Sequence, residues 1–429
     1  NINYNARSWD TDILSKRIIS WISNSKITYE NSDDIYKSKF DYLIQKQLNH
    51  LINEINRSKK IDDKLIGCAA IILGGLSFNE KLKYLDYGLS LLKKIIKFTF
   101  DVEGFPKSRN IRQLNFYLRY FILIREWLKE SQNEIPDYLN EIIFLLGQAY
   151  SLINKDLNTS YFFNGNTNSD NFDLDNYFKR LGYNFKNESF EVGGYVFLND
   201  KKLSFAMDLG PSPEKKFSDN YQAGTLSFEI ISNGKKIILN SGYFQNYKHQ
   251  LNLISKNTAC HSTMVINNSS SSQFIKNTDG SSQIKNSTKI LNKNIQLNKN
   301  HWVLIGEHDG YLNRFGVIHS RKIECFPSSS KFIGTDKIIK KKKSKEMNFE
   351  IRFHLNPLAR VMKTQDKTTI YVDCKNEGWK FKSCEYNIDF ETGLFFGHKN
   401  KFLENQNIVI SGIFENEDQE INWEIEKMV

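Results

Sequence analysis

Leu203-Ser204-Phe205-Ala206-Met207-Asp208-Leu209 alternates large apolar side chains with small or polar ones. Successive side chains of an extended chain point to opposite faces, so a period of two marks a half-buried strand. Ile421, Trp423 and Ile425, separated by Asn422 and Glu424, repeat the pattern near the end of the chain. Asn199-Asp200, Asn233-Gly234 ahead of Ile237, and Gln365-Asp366 ahead of Thr369 supply turn chemistry between such runs. From Tyr183 onward the chain reads as a large antiparallel β-sandwich. Before that point the period is helical. Phe40, Leu43, Ile44, Leu48, Leu51, Ile52 and Ile55 recur at steps of three and four, as do Leu82, Leu85, Leu89, Leu92 and Ile96. Further helices are expected over Ile13–Ile22, Leu65–Leu76, Ile111–Leu128 and Asp137–Leu152, with Pro136 suited to a first turn. Six helices joined by short polar connections predict stacked helical hairpins. The fold class is therefore multidomain, α then β, with domains expected at 1–180 and 181–429.

The 429 residues leave room for two or three domains. Hydrophobic residues at 40% and charged residues at 25% are ordinary for a folded chain and argue against disorder. The longest apolar run, Leu65–Leu76, is too short for a transmembrane helix. Cys68, Cys260, Cys325, Cys374 and Cys384 are scattered and form no CxxC pair, which excludes a disulfide framework or cysteine metal knuckle. The net charge of +10 reflects lysine spread along the whole chain. Its one dense cluster, Lys337 to Lys345 with Lys340, Lys341, Lys342 and Lys343, reads as a solvated hairpin tip. Basic and aromatic residues do not interleave as in a nucleic-acid module, so no nucleic-acid partner is expected. The chain opens on Asn1, and its natural N-terminus is expected to lie upstream.

Three constellations carry chemistry. Glu103-Gly104-Phe105-Pro106-Lys107-Ser108-Arg109-Asn110-Ile111-Arg112-Gln113 is a Gly/Pro loop running into a helix, where Arg109 and Arg112 with backbone N–H groups suit a carboxylate or sulfate. The same residues also suit a capped helix whose arginines pair with neighbouring acids. Asn220-Tyr221-Gln222-Ala223-Gly224-Thr225-Leu226-Ser227-Phe228-Glu229, Ile238 to Tyr243, and Ala259-Cys260-His261-Ser262-Thr263 place polar groups at strand ends beside one histidine, which a structural role also explains. His308-Asp309-Gly310-Tyr311, Arg314-Phe315-Gly316 and His319-Ser320-Arg321 read as strand, turn and strand, without strong metal-ligand spacing. Between the halves, Asn154 to Asn176 is polar but carries Tyr161-Phe162-Phe163-Asn164-Gly165, an aromatic island suited to a cleft wall.

Together these segments resemble the heparinase II/III-like family of polysaccharide lyases. Gly104 to Gln113 resembles its glycine loop with the Ser-Arg-Asn signature, Phe163-Asn164-Gly165 its interdomain Phe-Asn-Gly, and Ala223 to Glu229 is the most specific match. Arg7 to Ile22, Ala259 to Thr263, His308 to Gly316 and Arg352 to Leu355 add support. The resemblance implies an incomplete (α/α) toroid followed by the β-sandwich, action on an acidic polysaccharide, and a periplasmic or envelope location. It also implies a histidine in the glycine loop, where Pro106 stands, and a metal site whose matching positions here are Asn220, Gln222, Gly224, Asn240 and His261. Amides do not replace imidazole and carboxylate for a transition metal, so no stable metal and no cofactor are expected.

β-Elimination from a uronate needs a partner for the carboxylate, a base for the C5 proton and an acid for the leaving oxygen. Arg109 and Asn110 suit the first need. Tyr161, beside a cation that lowers its pKa, suits the second and third, with His261 the alternative base. Arg112, Asn164, Gln222, His308 and Tyr311 are expected to contact substrate. The alternative function is a catalytically weakened carbohydrate-binding protein of the cell envelope. Oligomeric state is not legible.

Overall fold

The computed structural model describes residues 7–78, 82–154, 160–166, 171–342, 345–383, 385–398, 401–415 and 417–428. Lys343 and Cys384 lie outside them. Two compact units result: residues 1–106 with 113–148, and residues 107–112 with 149–429.

In the first unit the predicted helices form at Thr11–Ser23, Asp34–Glu54, Ile61–Ser77, Leu82–Thr99, Ile111–Glu130 and Asp137–Ile153, the last two crossing the boundaries of the unit. Asp33 caps the second of them, its side chain accepting the Tyr36 N–H at 2.7 Å. Ile61–Ser77 is buried continuously from Leu65 to Gly75, so its neighbours cover it on several sides. Small residues set that packing. Gly74 rests on Leu48, and the Cys68 thiol reaches the Gly88 carbonyl at 3.1 Å, a separation that a bulkier side chain would not permit. No described helix is long and apolar enough to cross a membrane.

The second unit is built on two antiparallel sheets. One runs in the order Glu191–Val192, Tyr195–Asp200, Leu203–Asp208, Phe228–Ser232, Lys235–Leu239, Met347–Leu355, Leu403–Phe414 and Ile388–Phe395, with Met264–Ile266 also paired to Met347–Leu355. The other runs Arg360–Lys363, Thr369–Asp373, Gly378–Ser383, Gln419–Lys427, Lys331–Lys340, Val317–Phe326, His301–His308 and Ile290–Asn298. Their inner faces meet in one core. Phe228 stacks on Trp423 at 5.6 Å, Phe205 on Phe332 at 5.7 Å, and Phe353 meets Phe381 at 6.0 Å. The alternation that predicted strands is the alternation that fills this core.

The lysine cluster differs from its expected place. Lys331–Lys340 and Met347–Leu355 lie in different sheets, so the run between them crosses from one sheet to the other and is not a hairpin tip. Gly316 anchors its start, its carbonyl accepting the N–H groups of Lys341 and Lys342 at 2.9 and 3.0 Å. The aromatic island also differs. Tyr161, Phe162 and Phe163 belong to the second unit and are at most 2% exposed, which makes them core side chains and not the wall of a cleft.

Candidate functional site

The Ser-Arg-Asn loop turns on Arg109, whose φ of 55° is left-handed and strained for a side-chain-bearing residue. Its guanidinium holds it there. Nε donates to the Gly193 carbonyl at 2.8 Å, Nη1 to the Pro211 carbonyl at 2.9 Å, and Nη2 to Asp208 Oδ1 at 2.6 Å. The Tyr195 ring lies 4.4 Å from Cζ, and Gly210, bare of a Cβ, makes room for the group. Burial pushes the Asp208 carboxyl up against the opposing pull of Arg109. Arg109 thus pairs with the chain's own Asp208 carboxylate. Of the two arginines only Arg112 is exposed.

Three motif segments do converge. Tyr195 donates its hydroxyl to the Arg109 carbonyl at 2.8 Å, and the Asn164 amide donates to that same hydroxyl oxygen. Asn164 Oδ1 accepts the Gln222 N–H at 3.1 Å, and Gln222 Oε1 accepts the Gly165 N–H at 2.8 Å. Gln222 Nε2 donates to the carbonyls of Gly242 and Ser255 at 2.9 and 2.6 Å. Asn110 lies against Gly165, and its Oδ1 accepts the Arg112 N–H at 2.9 Å. Asn110, Asn164 and Gln222 are each at most 2% exposed. Their polar atoms cross-link backbone, and buried amides with these partners stabilise a loop junction.

Tyr161 sits beside Glu229, whose charge adds to burial in pushing the phenol far above its ordinary range. A cation was expected to lower it. The cation present, Lys236, instead approaches Glu229 to 3.9 Å, lies 3.1 Å from the Phe162 ring centre, and donates to the Ser160 carbonyl. Burial brings the Lys236 amine down to about 7. Glu229 Oε1 accepts the Phe162 N–H at 2.8 Å and Asn240 Nδ2 at 3.0 Å. The phenol is 1% exposed and holds its proton.

His261 behaves differently from all of these. Its ring packs against Gly224, it is 1% exposed, and both Nδ1 and Nε2 lack a protein hydrogen-bond partner, as does the adjacent Ser227 Oγ. Burial holds the imidazole down at about 3, so it is neutral with a lone pair available throughout the physiological range. A divalent metal does not fit around it. Gln222 is fully engaged, Asn240 Oδ1 accepts the Ser262 N–H at 3.0 Å, and Gly224 offers no side chain. Among the described residues no three His, Cys, Asp or Glu side chains gather as a metal site requires.

His308 and Tyr311 are buried in the sandwich. His308 is paired with His319 in strand register, and its Nδ1 accepts the Gly310 N–H at 3.0 Å. That fixes the proton on Nε2, which donates to His319 Nδ1 at 3.2 Å; His319 Nε2 then donates to Asp336 at 2.6 Å. Tyr311 is fully buried and donates to the Met264 carbonyl at 2.8 Å. Arg321 completes the network. It binds Asp336 at 2.8 Å and donates to the carbonyls of Leu226 and Ser262 at 2.9 and 2.8 Å, so it braces the two segments that flank His261.

Asp208, Tyr195, Lys236 and Asp336 are residues that sequence reasoning missed, and Glu229 and Arg321 were quoted within motifs without a role. The available signal was a charge within a strand otherwise buried on both faces, as Glu229 is within Phe228–Ser232.

Comparison with known proteins follows from this geometry. Residues 184–424 match the family model described as Heparinase II/III-like, C-terminal. Heparan sulfate lyase HepC from Pedobacter heparinus superposes with a TM-score of 0.75 at 16% identity, over 98% of this chain and 68% of its own. A heparinase III crystal structure gives a TM-score of 0.78 at 14% identity, over 100% and 71%. Comparison with curated protein sequences finds no match. These likenesses share one fold, helices followed by an antiparallel sandwich, and since the family model spans more than half of the residues, the chain belongs to the family with a heparinase II/III-like C-terminal domain.

Proposed function

We propose that the protein cleaves a uronate-containing acidic polysaccharide by β-elimination, with His261 as the base. The imidazole takes the C5 proton, the C4–C5 double bond forms as the C4–O bond breaks, and the leaving oxygen takes a proton from water, whose hydroxide the imidazolium then neutralises. Family membership supports the reaction class. The observation that carries the residue assignment is His261 itself: a neutral imidazole with neither nitrogen engaged, beside the likewise unpartnered Ser227 hydroxyl, in segments braced by Arg321. Arg112 supplies an exposed cation for the substrate carboxylate. A panel of acidic polysaccharides, followed by ultraviolet absorbance of the unsaturated uronate, tests the reading. Absorbance that rises with at least one substrate is expected; none with any would contradict it.

A second reading, binding without turnover, is favoured by the burial of Tyr161, Arg109 and His261 alike, at 1%, 6% and 1% exposed. Retention on acidic polysaccharide with no absorbance change would select it.

A further inference from the structure

The last strand of a sheet presents a row of unpaired backbone N–H and C=O groups, which proteins blunt by shortness, charge or cover. Three of the four end strands of the two large sheets are blunted in this way. Glu191–Val192 has two residues. Arg360–Lys363 has four, of which Arg360 is exposed and Lys363 pairs with Asp389 at 2.9 Å. Ile388–Phe395 carries Asp389 and Glu391, and its first N–H donates to the Lys367 carbonyl at 3.0 Å. The fourth, Ile290–Asn298, lacks these devices. It has nine residues, all exposed but Ile290 and Ile295, contains no proline, and pairs on one side only, with His301–His308. The register bulge lies at its start, opposite Glu307 and His308. Lys293 is its one charge, and that ammonium pairs with Glu191. Among the described residues no backbone group outside His301–His308 bonds to this strand.

We propose that this edge pairs antiparallel with the same edge of a second copy of the chain, about a twofold axis at Asn294. The sequence Leu291-Asn292-Lys293-Asn294-Ile295-Gln296-Leu297 complements itself when reversed. Leu291 then faces Leu297, Asn292 faces Gln296 and Asn294 faces its own counterpart. Leu291 and Leu297, 48% and 37% exposed, leave water against each other. Each amide carries both a donor and an acceptor, so the two amide pairs satisfy one another. Lys293 faces Ile295, along which its aliphatic stem can lie while the ammonium keeps Glu191. No like charges are opposed. Seven residues facing seven give roughly six to eight backbone hydrogen bonds, a number within the range of specific interfaces. Any extended peptide can meet the backbone row, but only a reversed copy of the strand matches every side-chain position, which selects the second copy as the partner.

The test is sedimentation of the full chain from about 1 to about 100 µM, the range in which an interface of this size populates a dimer. The parent is expected to reach twice the chain mass. Asn294→Asp sets two carboxylates opposite each other and removes an amide pair, so it is expected to weaken the dimer about tenfold. Register is read by cross-linking in a Cys384→Ser background, the other four cysteines being buried. Directly opposed residues of antiparallel strands stand about 4.5–5.5 Å apart at Cα, within disulfide reach, so Asn294→Cys is expected to form a covalent dimer on mild oxidation. Asn298→Cys is expected not to, because four residues from the axis it lies about 26 Å from its counterpart. A parent that stays monomeric throughout, a dimer that ignores Asn294→Asp, or cross-linking by Asn298→Cys as strong as by Asn294→Cys would overturn the proposal. Thermal melts establish that each variant is folded. None of these residues belongs to the proposed lyase site, so the outcome is independent of that reading.

Discussion

Arg109 shows how one side chain is bound into the architecture. Its three donors and its ring partner are all internal, and Asp208 is 99 residues away in sequence. Removing one partner of a buried pair strands the other, so Arg109→Ala is expected to cost about 3–5 kcal/mol, read as a lower urea midpoint. Arg109→Lys is expected to recover little of it, because a point charge cannot span acceptors set at fork geometry. A variant with parental stability but lost turnover would return Arg109 to catalysis. That Arg109 matters was legible from the loop motif. That its partner is Asp208 was not, since nothing local to either residue encodes their meeting. At the metal positions, elemental analysis of the purified protein is expected to find no stoichiometric zinc. One zinc per chain, lost in His261→Ala, would show that the amides of Gln222 and Asn240 rearrange around an ion.

Among the elements, two glycine-bearing turns separate what is local from what is not. Asn233 and Gly234 have φ of 48° and 73°, both left-handed, as a two-residue hairpin turn between Phe228–Ser232 and Lys235–Leu239 demands. The dipeptide announces this turn, and a Cβ at Gly234 meets nothing within 4 Å. Gly165, at φ 76°, is different: a Cβ there would overlap the Asn110 amide. Gly165→Ala is therefore expected to destabilise by about 1–3 kcal/mol and more than Gly234→Ala, which carries the backbone cost alone. Matched denaturant titrations decide, and equal losses would mean that Asn110 yields freely. The lysine cluster marks the limit of the same reasoning. A hairpin and a crossover look alike in composition, and only the pairing of Lys331–Lys340 with Gln419–Lys427 and of Met347–Leu355 with Leu403–Phe414 separates them.

The molecule as a whole buries four histidines in neutral form. Burial holds His261 and His354 at about 3, and pushes His308 and His319 below the ordinary imidazole range. The folded state thus binds fewer protons than the unfolded chain, so the stability these histidines contribute is complete above the unfolded value of about 6.5 and falls as pH drops below it. Asp336 acts in the same direction at lower pH: although burial would raise it, Arg321 and His319 hold it below the usual carboxylate range. Urea midpoints are expected to fall as pH drops from about 8, because Lys236, held at about 7 by burial, is largely neutral in the folded state and protonated in the unfolded chain, and to fall further below about 6.5, by about 1.4 kcal/mol per pH unit for each histidine in its window. A flat profile down to pH 4 would mean that the imidazoles are hydrated. The order of helices and strands, the convergence of the motif segments and the family were legible in periodicity and motifs; the inward burial of those segments was not, because the same polar residues at strand ends serve a wet site or a dry junction equally well. The central proposal is that His261 is the base. The most direct measurement is the initial rate of unsaturated-uronate formation by His261→Ala against the parent at equal folded fraction. The account predicts a loss of about 10²-fold or more; a rate equal to the parent's would contradict it.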